Sequence, residues 1–167
     1  MKVVRELYGD WDAVYCYGKD CLLIVGISRG PRILYYSKLN GSNLLYEDNT
    51  NFGLGNWRLY GGHRLTTAPE SEESYIPDNE PCTVFTGQGF LKVEAPINKS
   101  QGIIKSIKIY FDDLYSGFLI EHRLFNKNIT IWEGALWAIT CVPAVGTIYS
   151  TVDAGDEVHL NSEPVKD

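Results

Sequence analysis

Gly102-Ile103-Ile104-Lys105-Ser106-Ile107-Lys108-Ile109-Tyr110-Phe111 and, after a turn, Phe118-Leu119-Ile120-Glu121-His122-Arg123-Leu124-Phe125 decide how this chain folds. In the first run Ile103, Ile107, Ile109 and Phe111 share one face of a period-two pattern, and Ser106, Lys108 and Tyr110 share the other. Only Lys105 interrupts the apolar face. In the second run Phe118, Ile120, His122 and Leu124 alternate with Leu119, Glu121, Arg123 and Phe125. Asp112-Asp113 and Ser116-Gly117 supply turn residues between them, so the pair reads as an antiparallel hairpin.

The same signature recurs on both sides of this hairpin. Strands are expected near residues 13–16, 21–27, 32–37, 83–95, 103–111, 118–125 and 129–142, with a further short one at Asn43 to Tyr46. Gly18, Ser28-Arg29-Gly30-Pro31, Asn40-Gly41, Gly87-Gln88 and Asn126-Lys127-Asn128 punctuate them. No stretch combines helical periodicity with a cap. Many short runs with frequent turns imply an all-β antiparallel β-sandwich, and residues 1–167 are expected to form a single domain. The polar end, Asn161 to Asp167, reads as a frayed tail, and His159 beside it takes no functional reading.

The totals exclude several classes of function. A formal charge of −6 disfavours nucleic acid, which calls for a basic patch, and an anionic membrane surface as well. No apolar run approaches the roughly 20 residues that span a bilayer. The start, Met1 to Glu6, lacks the apolar core of a signal peptide, so a cytoplasmic location is expected. The four cysteines, Cys16, Cys21, Cys82 and Cys141, match no zinc spacing, and neither a metal nor a cofactor is expected. Cys16 and Cys21 flank a four-residue turn that allows them to face each other across two strands, and two half-buried free thiols are the default.

One stretch gathers chemistry: Leu59-Tyr60-Gly61-Gly62-His63-Arg64-Leu65, running on to Ala68-Pro69-Glu70 and to Pro77-Asp78-Asn79. The two glycines permit positive φ or close approach to a ligand. Arg64 offers a planar fork of donors for oxygen-rich partners, and Trp57 and Tyr60 offer flat walls with polar edges. The competing reading is a surface loop in which Arg64 pairs with Glu70 or Asp78. A Ser-His-Asp centre is disfavoured because no Gly-x-Ser-x-Gly elbow exists. A carboxylate pair can be drawn from Glu70, Glu72, Glu73 and Asp78. His122 on its apolar face reads first as a half-buried structural histidine, and Trp137 as a core residue or a platform for a sugar ring.

Several segments in order resemble the galactose mutarotase-like superfamily, which includes the aldose 1-epimerases. Leu22 to Leu45 looks like its opening, with an apolar strand, an Arg29-Gly30-Pro31-Arg32-Ile33 turn and an Asn40-Gly41-Ser42-Asn43-Leu44-Leu45 step. The Tyr60-Gly61-Gly62-His63-Arg64-Leu65…Ala68-Pro69-Glu70 segment is similar to a version in epimerase-related proteins. Glu121 to Asn126 and Glu133 to Thr140 resemble two mid-family strands. The resemblance implies a partial supersandwich that binds a carbohydrate in an open cleft, with Arg64 as the binding arginine. Where the family carries its mid-chain catalytic histidine this sequence has Trp137, and the family's carboxylate base falls beyond the chain's length. The expectation is therefore carbohydrate binding with weak or no catalysis, by a fragment or a shortened relative whose open edges favour a homo-oligomer.

The site residues implied are His63 and Glu70 for any catalysis, and Arg64, Trp57, Tyr60, Asp78, His122 and Trp137 for substrate. The alternative is a true epimerase that opens and recloses a sugar ring, with His63 or His122 as acid and Glu70 or Asp78 as base. A third reading is a structural or protein-interaction module.

Overall fold

A computed structural model describes residues 2–50, 52, 53, 55–76, 78–112, 114 and 116–147; the expected tail and His159 lie outside them. Ten strands form, all paired antiparallel: β1 (Lys2–Tyr8), β2 (Trp11–Tyr17), β3 (Cys21–Gly26), β4 (Arg32–Lys38), β5 (His63–Ala68), β6 (Thr83–Gly87), β7 (Phe90–Glu94), β8 (Ile103–Asp112), β9 (Gly117–Asn126) and β10 (Ala135–Thr140). One sheet runs β1-β2-β3-β4-β5-β10 and the other β6-β7-β8-β9. A 3-10 turn, Glu72–Tyr75, lies between β5 and β6. No helix among the described residues is long and apolar enough to cross a membrane.

The two sheets share one core. Val14, Cys16, Leu23, Val25, Ile27 and Ile33 from the first meet Leu91, Val93, Ile107 and Ile109 from the second. Burial of such side chains contributes roughly 1.5–3 kcal/mol each, so this cluster holds the layers together. The period-two face of β8 points into it as the sequence implies. Lys105, the intruder on that face, is only 4 % exposed and bonds both oxygens of Asp78, at 2.7 and 2.9 Å. A buried charge persists there because it is paired. In β4 an extra residue bulges opposite Ile24 and Val25, which keeps Ile33 and Tyr36 both against the core although they stand three apart.

Several expectations change. The stretch Asn43 to Tyr46 forms no strand. Instead the Asn43 side chain plays that part, accepting from the Tyr36 and Leu45 amides and donating to the Leu34 carbonyl. Of the expected run 129–142 only Ala135–Thr140 is a strand, and Ile129 and Ile131 stand fully exposed. Cys16 and Cys21 are buried free thiols but not opposite each other, since Cys16 pairs with Leu23 and Cys21 with Lys38. The strands β1 and β5 come in addition to those expected.

Candidate functional site

The site is organised by the way β5 enters the sheet. Tyr60, Gly61 and Gly62 all have positive φ, at 54°, 80° and 70°. The Gly61 amide donates to the Leu59 carbonyl at 2.6 Å, closing a tight turn around Tyr60. A Cβ on Gly61 would run into the Tyr46 carbonyl, and one on Gly62 into the Ile33 carbonyl. The glycine pair thus lies against the protein's own backbone, which fixes where His63 and Arg64 begin. Those two neighbours then point to opposite faces of the sheet, as alternation requires.

On the outer face Arg64 stands across from Arg32 on one side and Ile139 on the other. A cavity of about 130 Å³ opens there, lined by Arg32, Arg64, Trp57, Tyr75 and Trp137 among others. Arg32 is 4 % exposed, donates to the Gly61 carbonyl at 3.0 Å and the Leu59 carbonyl at 3.4 Å, and lies 5.2 Å from the Tyr60 ring centre. Burial first, then the Arg64 charge, draws the Arg32 guanidinium down to about 10, against the pull of Asp78. Burial also lowers Arg64, with Asp78 opposing. Arg64 makes one long bond, 3.4 Å to the Ser74 carbonyl. Trp57 packs edge-on to Tyr75 at 6.2 Å, and its buried indole N–H finds no acceptor.

On the inner face His63 Nε2 meets His122 Nε2 at 2.9 Å, and His63 Nδ1 meets Thr140 Oγ1 at 2.7 Å. The Nδ1 of His122 is buried without a partner. One proton fits between two Nε2 atoms at that distance, so one ring donates, the other accepts, and the two cannot both be imidazolium. Burial chiefly, then His122 and Arg32, push His63 down to about 4; burial lowers His122. A mainly apolar cavity of about 220 Å³ adjoins the pair, lined by Leu23, Ile33, Tyr36, Leu45, Phe118 and Ile120 as well as His63 and Thr140.

The residues singled out from the sequence therefore fall in separate places. Arg64, Trp57 and Trp137 meet in the outer cleft, and Tyr60 sits beneath it against Arg32 and Trp11, its hydroxyl donating to Asn79 at 3.3 Å. His63 and His122 meet on the other side of the sheet. Asp78 belongs to Lys105, and exposed Glu70 accepts from the Tyr75 hydroxyl, so neither forms an ion pair with Arg64. Arg32, Tyr75 and Thr140 escaped the sequence reading. The only signal for Arg32 is a cation heading an otherwise apolar run.

Donor forks and flat rings thus line the outer cleft, and the paired histidines stand on the other face of the sheet. Among the described residues no group of three His, Cys, Asp or Glu side chains is placed to hold a metal ion. Comparisons of the chain with protein-family models, with curated proteins and with solved structures return no match.

Proposed function

We propose that this protein binds a carbohydrate in the outer cleft and does not turn it over there. The observation that carries the reading is the convergence of Arg64 and Arg32 with Trp57, Tyr75 and Trp137 around one cavity. Aromatic faces stack on the apolar faces of sugar rings, and a guanidinium fork matches neighbouring hydroxyls. The resemblance to the galactose mutarotase-like superfamily points the same way. Catalysis by ring opening needs an acid and a base within reach of the same sugar. Here the histidines line the opposite face from Arg64, and Glu70 and Asp78 are bonded elsewhere.

Amide NMR titration with common aldoses tests the reading, with shifts expected for Arg64, Trp57 and Trp137. Hydrogen bonds to a charged group contribute about 1.5–3 kcal/mol, so Arg64→Ala is expected to weaken binding roughly tenfold to a hundredfold. The melting temperature should move little, because Arg64 holds no carboxylate, and Arg64→Lys should not restore affinity. A destabilised Arg64→Ala protein with unchanged affinity defeats this site. Polarimetry on fresh α-anomers is expected to show no acceleration of mutarotation; acceleration would favour the epimerase reading.

A further inference from the structure

Three cations and one acid meet behind the outer cleft. Arg32, Arg64 and Lys105 all lie near Asp78, and Lys105 takes both of its oxygens. Among the described residues neither arginine has a carboxylate within ion-pair distance. The Cys141 thiol in the cavity wall is pushed up by burial, against the pull of Arg32 and Arg64, and stays protonated at neutral pH. Arginine does not shed its proton in proteins, so two positive charges border the cavity with no ion pair of their own among the described residues, sharing the field of an Asp78 already bonded to Lys105.

Buried charges are costly unless paired, and a chain with a net charge of −6 has no shortage of acids to place beside them. Among the described residues none lies within ion-pair distance of either arginine. Arg32 spends part of its fork on two loop carbonyls, while Arg64 uses a single long bond. The indole N–H of Trp57 adds a buried donor with no acceptor among the described residues. All three are donors, and all three belong to residues that line the same cavity.

Resting on the carbohydrate reading, we propose that the cleft's ligand is an anionic sugar, with its carboxylate or phosphate held between Arg32, Arg64 and the Trp57 N–H. Bidentate guanidinium bonds to such groups are the strong kind, short and charge-assisted. The cavity of about 130 Å³ is smaller than the roughly 300–1,000 Å³ that enclose a whole drug-sized ligand. It therefore grips the charged end, and the ring extends along half-buried Trp137 and exposed Tyr75 toward solvent. Lys105 stays with Asp78, so the oxyanion is matched to the two guanidiniums alone.

Calorimetric titration of the full chain tests this, using the uronic acids and the 6-phosphates of glucose, galactose and mannose beside the parent hexoses, acetate and inorganic phosphate. At least one acidic sugar is expected to bind tenfold or more tighter than its parent hexose and than acetate or phosphate. A preference for uronic acid or for 6-phosphate identifies which oxyanion the cleft takes. Arg64→Gln keeps amide donors without charge, so the ratio of acidic to neutral affinity should fall at least tenfold. Trp57→Phe keeps the ring and removes the N–H, and should lower acidic-sugar affinity several-fold in a protein with an unchanged melting temperature. Equal affinity for acidic and neutral sugars overturns the charge assignment and leaves carbohydrate binding standing. Acetate or phosphate binding as tightly as the acidic sugars overturns the carbohydrate reading and leaves the oxyanion site standing. No binding by any member of the panel overturns both.

Discussion

The outer faces of the two sheets treat their cations in opposite ways. On the four-stranded sheet each cation meets its match: Lys92 bonds Glu94 at 2.5 Å, Lys108 lies 4.1 Å from the Phe90 ring centre and 4.8 Å from that of Tyr110, and Arg123 pairs with Glu121. That face is electrostatically closed. On the six-stranded sheet Arg32 and Arg64 are set deeper, beside one another and among aromatic rings, with Asp78 near them but bonded to Lys105. A face that satisfies its own charges offers little to a ligand; the two guanidiniums of the other face, with no ion pair among the described residues, are what the proposed oxyanion would meet.

The sharpest way to break this contrast is Asp78→Asn. If the three cations behind the cleft share that one acid, removing its charge costs about 3–5 kcal/mol of stability, the range for stranding buried partners, read by urea denaturation. Lys105→Met should cost less, since Asp78 still faces Arg32 and Arg64. Equal and small losses would mean these charges are solvated, and the contrast between the faces would collapse.

A second measurement separates the two sides of β5. The folded-state pKa of His63, about 4, lies below its ordinary 6.5, so between those values the unfolded chain binds more protons. The contribution is fully present above about pH 6.5 and is lost as pH falls through about 4. The melting temperature should drop across that window, and His63→Asn should flatten the profile while leaving acidic-sugar affinity intact. An unchanged profile would show that the pair is not the titrating element. The smallest effect belongs to the closed face, where Lys108→Ala should change stability by no more than about 0.5–1 kcal/mol. A larger loss would make that face a structural element in its own right.

The sequence displays the β8–β9 hairpin openly because one face of each strand is apolar and the other polar, and that difference survives as burial. It conceals β5. His63, Leu65 and Thr67 alternate with Arg64, Thr66 and Ala68, and both sets are wholly or partly covered, so neither face shows an apolar stripe. It conceals β1 for the opposite reason: Lys2–Tyr8 is an edge strand largely exposed on both faces. Ile129 and Ile131 read as strand residues on propensity, but no neighbour pairs with them. For the cleft, Arg64, Trp57 and Trp137 were legible as residue types suited to sugars. That His63 and Arg64 part company follows from alternation once β5 is known to be a strand. The pairing of Arg32 with Arg64 is a matter of register between segments some thirty residues apart, which no local pattern encodes.

Only two residue pairs join β4 to β5, Arg32 with Arg64 and Ile33 with His63. The six-stranded sheet is thus a four-stranded sheet and a two-stranded ribbon, β5 with β10, joined by a short strand-to-strand seam and by backbone bonds through Tyr46. Each arginine of the cleft is rooted on one side of that seam. The proposed oxyanion, bridging them, would act as a rivet through the seam. The seam's resistance to parting would then rise with ligand concentration by an increment that the binding constant sets.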